Sequence, residues 1–122
     1  MAQPRRICQI IKLKPDRADE YKLVHSAVWP SVLDALARHH IKDYSINHYP
    51  PLQLLIATFK YTGDDYEKDM EAIGKDEETR KWWRLTDEMQ KSFNEGATGS
   101  EGAVPWWTNV EEVFRFEGDS TT

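Results

Sequence analysis

Three groups of residues in this chain have the chemistry to hold a small polar ring and to move protons on it. Tyr21, His25 and Trp29 recur at steps of four, a spacing that stacks a phenol, an imidazole and an indole along one helix face. An imidazole with an ordinary pKa of about 6.5 gives and takes protons near neutrality. The same trio could equally be a half-buried packing contact with satisfied polar tips, and spacing alone leaves both uses open. Trp82-Trp83 is the second group: adjacent helical indoles point about 100° apart, so one can enter the core while its neighbour faces a cavity or an interface. Both could instead be anchors, one within the chain and one against a partner. Tyr44 is the third, aimed into a cleft between sheet and first helix or lying at the sheet edge.

The remaining polar clusters carry less. Trp106-Trp107 raises the aromatic density ahead of the last apolar segment, where packing is the ordinary use. His39-His40 are adjacent at an expected helix end, where they cannot face one metal ion, and His48 beside Pro50 reads as turn chemistry. No glycine-rich phosphate loop, Gly-x-Ser-x-Gly elbow or calcium loop occurs, so neither a metal nor a cofactor is expected. A net charge of −5 gives no basic surface for nucleic acid or anionic lipid, and Cys8 is the sole cysteine, as suits a reducing cytoplasmic setting. No stretch approaches the roughly 20 apolar residues of a membrane span, and no export signal is evident.

Positioning these residues falls to a small set of elements within one domain, 1–122, with 1–5 and 118–122 expected as flexible tails. Residues 6 to 13 mix β-branched Ile7, Ile10 and Ile11 with Cys8 and Leu13, the pattern of a mostly buried strand. Asp16 stands at an N-cap position, and the stripe Tyr21, Val24, His25, Val28, Val32, Leu36 predicts a helix to about Arg38, kinked near Trp29 by Pro30. Residues 41 to 49 and 52 to 61 predict a strand pair joined at Pro50-Pro51. Asp64 and Asp65 open a helix to about Ile73, and another runs from about Glu77 to Phe93, its start capped by the acidic run from Asp76. A polar loop covers 94 to 105, and the alternation in VEEVFRF predicts a final strand.

The order β-α-β-β-α-β is the ferredoxin-like arrangement of an α+β protein, an antiparallel sheet with helices on one face. A bare apolar sheet face asks for cover, and a second copy with its sheet opposed is the simplest one.

Tyr21-x-x-x-His25-x-x-Val28-Trp29-Pro30, then Asp43-Tyr44-Ser45-Ile46, Trp82-Trp83 and Glu111-Glu112-Val113-Phe114 stand in an order and at distances that resemble the L-rhamnose mutarotase family from Ile7 to Phe114. The resemblance implies a homodimeric α+β barrel that interconverts the anomers of a monosaccharide without a cofactor. It implies that His25 is the proton-transferring residue, that Tyr21, Tyr44, Trp82 and Trp83 contact the sugar, and that Trp29 forms part of the pocket wall. Three departures stand out: Ser31 replaces a common acidic residue, Asp43 a frequent asparagine, and the polar loop from about Asn94 to Val104 is longer. Two other readings suit the same residues, namely a cofactor-free monooxygenase or cyclase of the same barrel type and a non-catalytic sugar-binding module.

Overall fold

A computed structural model describes residues 5–118 of the chain. Its sheet is built on β1 (Arg5–Leu13), whose outer neighbours are β3 (Leu54–Tyr61) on one edge and two short strands on the other. β2 (Ile41–Tyr49) completes the β3 side, and all pairings are antiparallel. The two short strands, β4 (Gln90–Lys91) and β5 (Thr108–Asn109), share a single strand position. Gln90 and Lys91 face Leu13 and Lys12, and Thr108 and Asn109 face Ile10 and Gln9 in the same direction. Residues 92–107 are therefore an excursion from the fourth strand of a ferredoxin-like sheet.

Alternation along the strands decides which face is covered. Ile7, Ile11 and Leu13 of β1 and Leu55, Ala57, Phe59 and Tyr61 of β3 are buried on one side. They split into two apolar clusters. Ile7, Ile41, Phe59 and Tyr61 pack with Ile73, and Ile11, Leu13 and Leu55 pack with Tyr21 and Met89. Four helices supply the rest: α1 (Ala18–His25), α2 (Pro30–Arg38), α3 (Tyr66–Lys75) and α4 (Glu77–Asp87). On the opposite face Cys8, Ile10, Leu54, Ile56 and Thr58 are only half-buried.

Several boundaries differ from the sequence expectation. The expected kinked helix is two helices, because Trp29 ahead of Pro30 takes an extended backbone (φ −58°, ψ 131°) that a helix cannot contain. Asp16 does not cap α1; it lies in a short 3-10 turn, Pro15–Arg17, and Arg17 occupies the cap position. Asp65 and Asp76 do cap α3 and α4, accepting from the backbone N–H of Lys68 and Thr79. α4 stops at Asp87 rather than Phe93, because the chain turns at Met89, which is fully buried, to reach the free edge of β1.

The final strand is the clearest correction. Pairing in this part of the chain is confined to Thr108–Asn109, and residues 111–118 have no regular structure. After the Val110 N–H donates to the Cys8 carbonyl the chain leaves β1, and an alternating pattern without a neighbouring ladder forms no strand. Arg5, expected in a tail, is the first residue of β1 and faces Tyr61; residues 1–4 and 119–122 lie outside the described residues.

Candidate active site

α1 ends at the residue that matters most. His25 Nδ1 lies 2.8 Å from the carbonyl oxygen of Tyr21, one turn earlier. A carbonyl only accepts, so Nδ1 carries the hydrogen and, in the neutral ring, the lone pair sits on Nε2. Burial pushes the imidazole pKa below its usual value, with the bond to the Tyr21 carbonyl opposing it in part. The neutral ring is thus the form present at pH 7, with a base at its free end.

Aromatic rings fix the orientation of that imidazole. Tyr21 lies against it at a centroid distance of 4.1 Å and a tilt of 32°. Trp82 of α4 meets it edge-on at 5.2 Å, and Trp29 meets Trp82 in the same way at 5.1 Å. Trp82 is 7% exposed, so this is a packed wall rather than a surface patch.

The wall borders a cavity of about 730 Å³, ample for a monosaccharide. His25, Tyr44, Trp82 and Trp83 all line it. Tyr44 reaches it through a β-bulge. Between the pairs Lys42↔Lys60 and Ser45↔Thr58, β2 has one more residue than β3, and Asp43 takes the left-handed conformation at φ 53°. The bulge turns Tyr44 to the helix side, where its ring stacks flat on Phe59 at 5.2 Å. Trp83 also packs on the cluster around Phe59 and Ile73. Tyr21 and Trp29 stand behind the lining, Tyr21 in back of His25 and Trp29 in back of Trp82.

Residues that the sequence reading left out complete the cavity. Gln9 and Asn109 line it as a paired amide, Gln9 Nε2 donating to Asn109 Oδ1 at 2.9 Å. Gln9 interrupts an otherwise apolar strand on its helix-facing side, and that break was a readable signal. Trp106 and Trp107, expected as packing, line the cavity as well as packing on the Ile11 cluster. They are held there by polar side chains of the excursion. Ser92 Oγ donates to the Trp106 carbonyl at 2.7 Å and Asn94 Nδ2 to the Pro105 carbonyl at 2.7 Å. Asp87 accepts from the Ser100 N–H and hydroxyl at 2.8 and 2.6 Å, tying the excursion to the end of α4. No group of three His, Cys, Asp or Glu side chains able to hold a metal occurs among the described residues.

A ferredoxin-like α+β fold enclosing an aromatic cavity with one free imidazole nitrogen defines a class of acid-base enzymes for small ring substrates. Comparison with known proteins narrows it. The family model described as L-rhamnose mutarotase matches residues 6–116. The chain is 34% identical to the L-rhamnose mutarotase of Bacteroides thetaiotaomicron over 105 residues, 86% of this chain and 91% of that one. It is 30% identical to that of Burkholderia cenocepacia, with the same coverage of both chains. The crystal structure of an L-rhamnose mutarotase from Formosa agariphila superposes with a TM-score of 0.71 at 25% identity, covering 93% of this chain and 99% of that one. The chain belongs to the L-rhamnose mutarotase family, and with it to the enzymes that isomerise carbohydrates by mutarotation.

Proposed function

We propose that this enzyme interconverts the α and β anomers of L-rhamnose or a closely related deoxy-hexose, with His25 as the base. One observation carries the reading: the His25 Nδ1 hydrogen is committed to the Tyr21 carbonyl, so the lone pair of Nε2 is available to the cavity. Nε2 takes the proton of the anomeric hydroxyl as the bond from C1 to the ring oxygen breaks. The ring oxygen keeps that electron pair and receives a proton from a water. The open aldehyde turns about the C1–C2 bond and the steps reverse on its other face. Tyr44, Trp82 and Trp83 supply flat surface for the C–H side and methyl group of the sugar, and Trp29 backs Trp82. Neither metal nor cofactor is required by these proton transfers.

Saturation-transfer NMR between the two anomeric protons of L-rhamnose tests the reading. The wild type should accelerate exchange, and His25→Ala should lose about a hundredfold or more of that acceleration while keeping its fold. A wild type that accelerates exchange of no aldose, or a His25→Ala variant with undiminished exchange, contradicts it.

The working form in this reading is a homodimer in the cytoplasm. Support comes from the half-buried apolar sheet face and from Val113, Phe114 and Phe116, which are 91%, 82% and 81% exposed in a single chain. Within the described residues, no helix is long and apolar enough to cross a membrane. Sedimentation at micromolar concentration should give twice the chain mass, and a monomer at that concentration would remove the dimer.

A further inference from the structure

Among the described residues, four with amide or aliphatic hydroxyl side chains line the cavity: Gln9, Thr79, Ser100 and Asn109. Thr79 and Ser100 give their hydroxyl hydrogens to Asp76 and Asp87, at 2.8 and 2.6 Å. The side chains of Gln9 and Asn109 have one partner among the described residues, each other, through a single bond of 2.9 Å. Two primary amides joined by one hydrogen bond keep one carbonyl oxygen and one NH₂ unspent, whichever way each amide is turned.

Strand register brings those two groups to one place. Gln9 faces Asn109 across β1 and β5, and the next pair along is joined by the Val110 N–H and the Cys8 carbonyl. Gln9 and Asn109 therefore hold the pair position without backbone bonds, where opposed side chains stand closest and on the same face. That face is the helix side, which Gln9 shares with Ile7 and Ile11, 6% and 0% exposed. A polar group on such a face costs stability unless it is bonded, and half of each amide is left for an occupant of the cavity to match. A donor and an acceptor side by side suit a vicinal diol, in which one hydroxyl accepts and its neighbour donates. An apolar ring meets neither group, and an ionised carboxylate meets only the NH₂.

We propose that Gln9 and Asn109 form a specificity-determining subsite that reads two neighbouring ring hydroxyls of the sugar whose anomeric centre lies at His25. The proposal rests on the mutarotase reading. It assigns the polar edge of the sugar to the strand pair and leaves its C–H faces to the indoles.

Anomer exchange by the full chain tests this, measured on L-rhamnose and on three analogues that each lack one hydroxyl, at C2, C3 or C4. The wild type should prefer L-rhamnose roughly tenfold in kcat/KM over the two analogues missing a hydroxyl of the recognised pair, the worth of about one hydrogen bond. Gln9→Leu, which removes donor and acceptor at similar size, should raise KM for L-rhamnose about tenfold, the loss falling on KM rather than kcat. It should also erase the preference against one of those analogues, and Asn109→Leu the preference against the other. Asn109 is exposed at the strand edge, so its variant decides the matter if Gln9→Leu does not fold. The intrinsic reactivity of each analogue cancels when variant and wild type are compared on it, and an amide pair that only braced the two strands would leave the preferences unmoved. An active wild type indifferent to all three hydroxyls, or preferences that pass unchanged into either folded variant, overturns the proposal alone. A wild type inactive on every aldose removes the mutarotase reading and this subsite with it.

Discussion

The cavity has two walls of different construction. The α1 and α4 wall is made of large rings packed on one another, His25 against Tyr21 and Trp82, and Trp82 against Trp29. The other wall is the excursion 92–107, which holds Trp106 and Trp107 through side-chain hydrogen bonds to its own carbonyls. The first depends on buried apolar area, the second on a few directional bonds. Disturbing each should therefore cost different amounts and be felt over different distances.

Trp82→Ala gives the larger effect. Removing a buried indole from a contact shared by His25 and Trp29 should lower unfolding stability by about 3 to 5 kcal/mol, measured by denaturant titration. A loss under about 1 kcal/mol would mean that the helical wall is looser than its ring packing indicates. Asn94→Ala gives the smaller one. It removes donation to the Pro105 carbonyl and contact with Thr108, and should cost about 1 kcal/mol. Amide hydrogen exchange should quicken within 94–108 and stay unchanged in α1 and α4. Equal acceleration in both walls would erase the distinction between them.

The same contrast explains what the sequence made legible. Steps of four along α1 place Tyr21 over His25 because helix geometry is local, and the apolar run of β1 is local in the same sense. Asp43 is instructive. Standing where an asparagine is frequent, it counted as a departure, but the position needs a left-handed backbone, which Asp and Asn both tolerate. The bulge that aims Tyr44 therefore survives the change. What escaped was non-local. Gln90 and Ser92 fell in an expected helix and Asn94 in an expected loop, and none of them shows its role until its partners at 105–107 and at Tyr21 are known. VEEVFRF alternates like a strand, but alternation does not say whether a partner pairs with it, and beyond Val110 the chain does not pair with β1 although that strand continues to Arg5. Gln9 alone among the missed residues carried a local mark, a polar side chain on the buried side of a strand.

The account turns on His25 acting as a neutral base with its Nδ1 hydrogen already committed. Its most direct test is the pH dependence of kcat/KM for anomer exchange. Burial lowers the imidazole pKa in the folded enzyme, so the active neutral form persists to more acid pH than for a free histidine. The account predicts a rise in kcat/KM governed by one group with its midpoint below about 6.5, level through neutrality. A midpoint above that value, or the same profile persisting in His25→Ala, would contradict it.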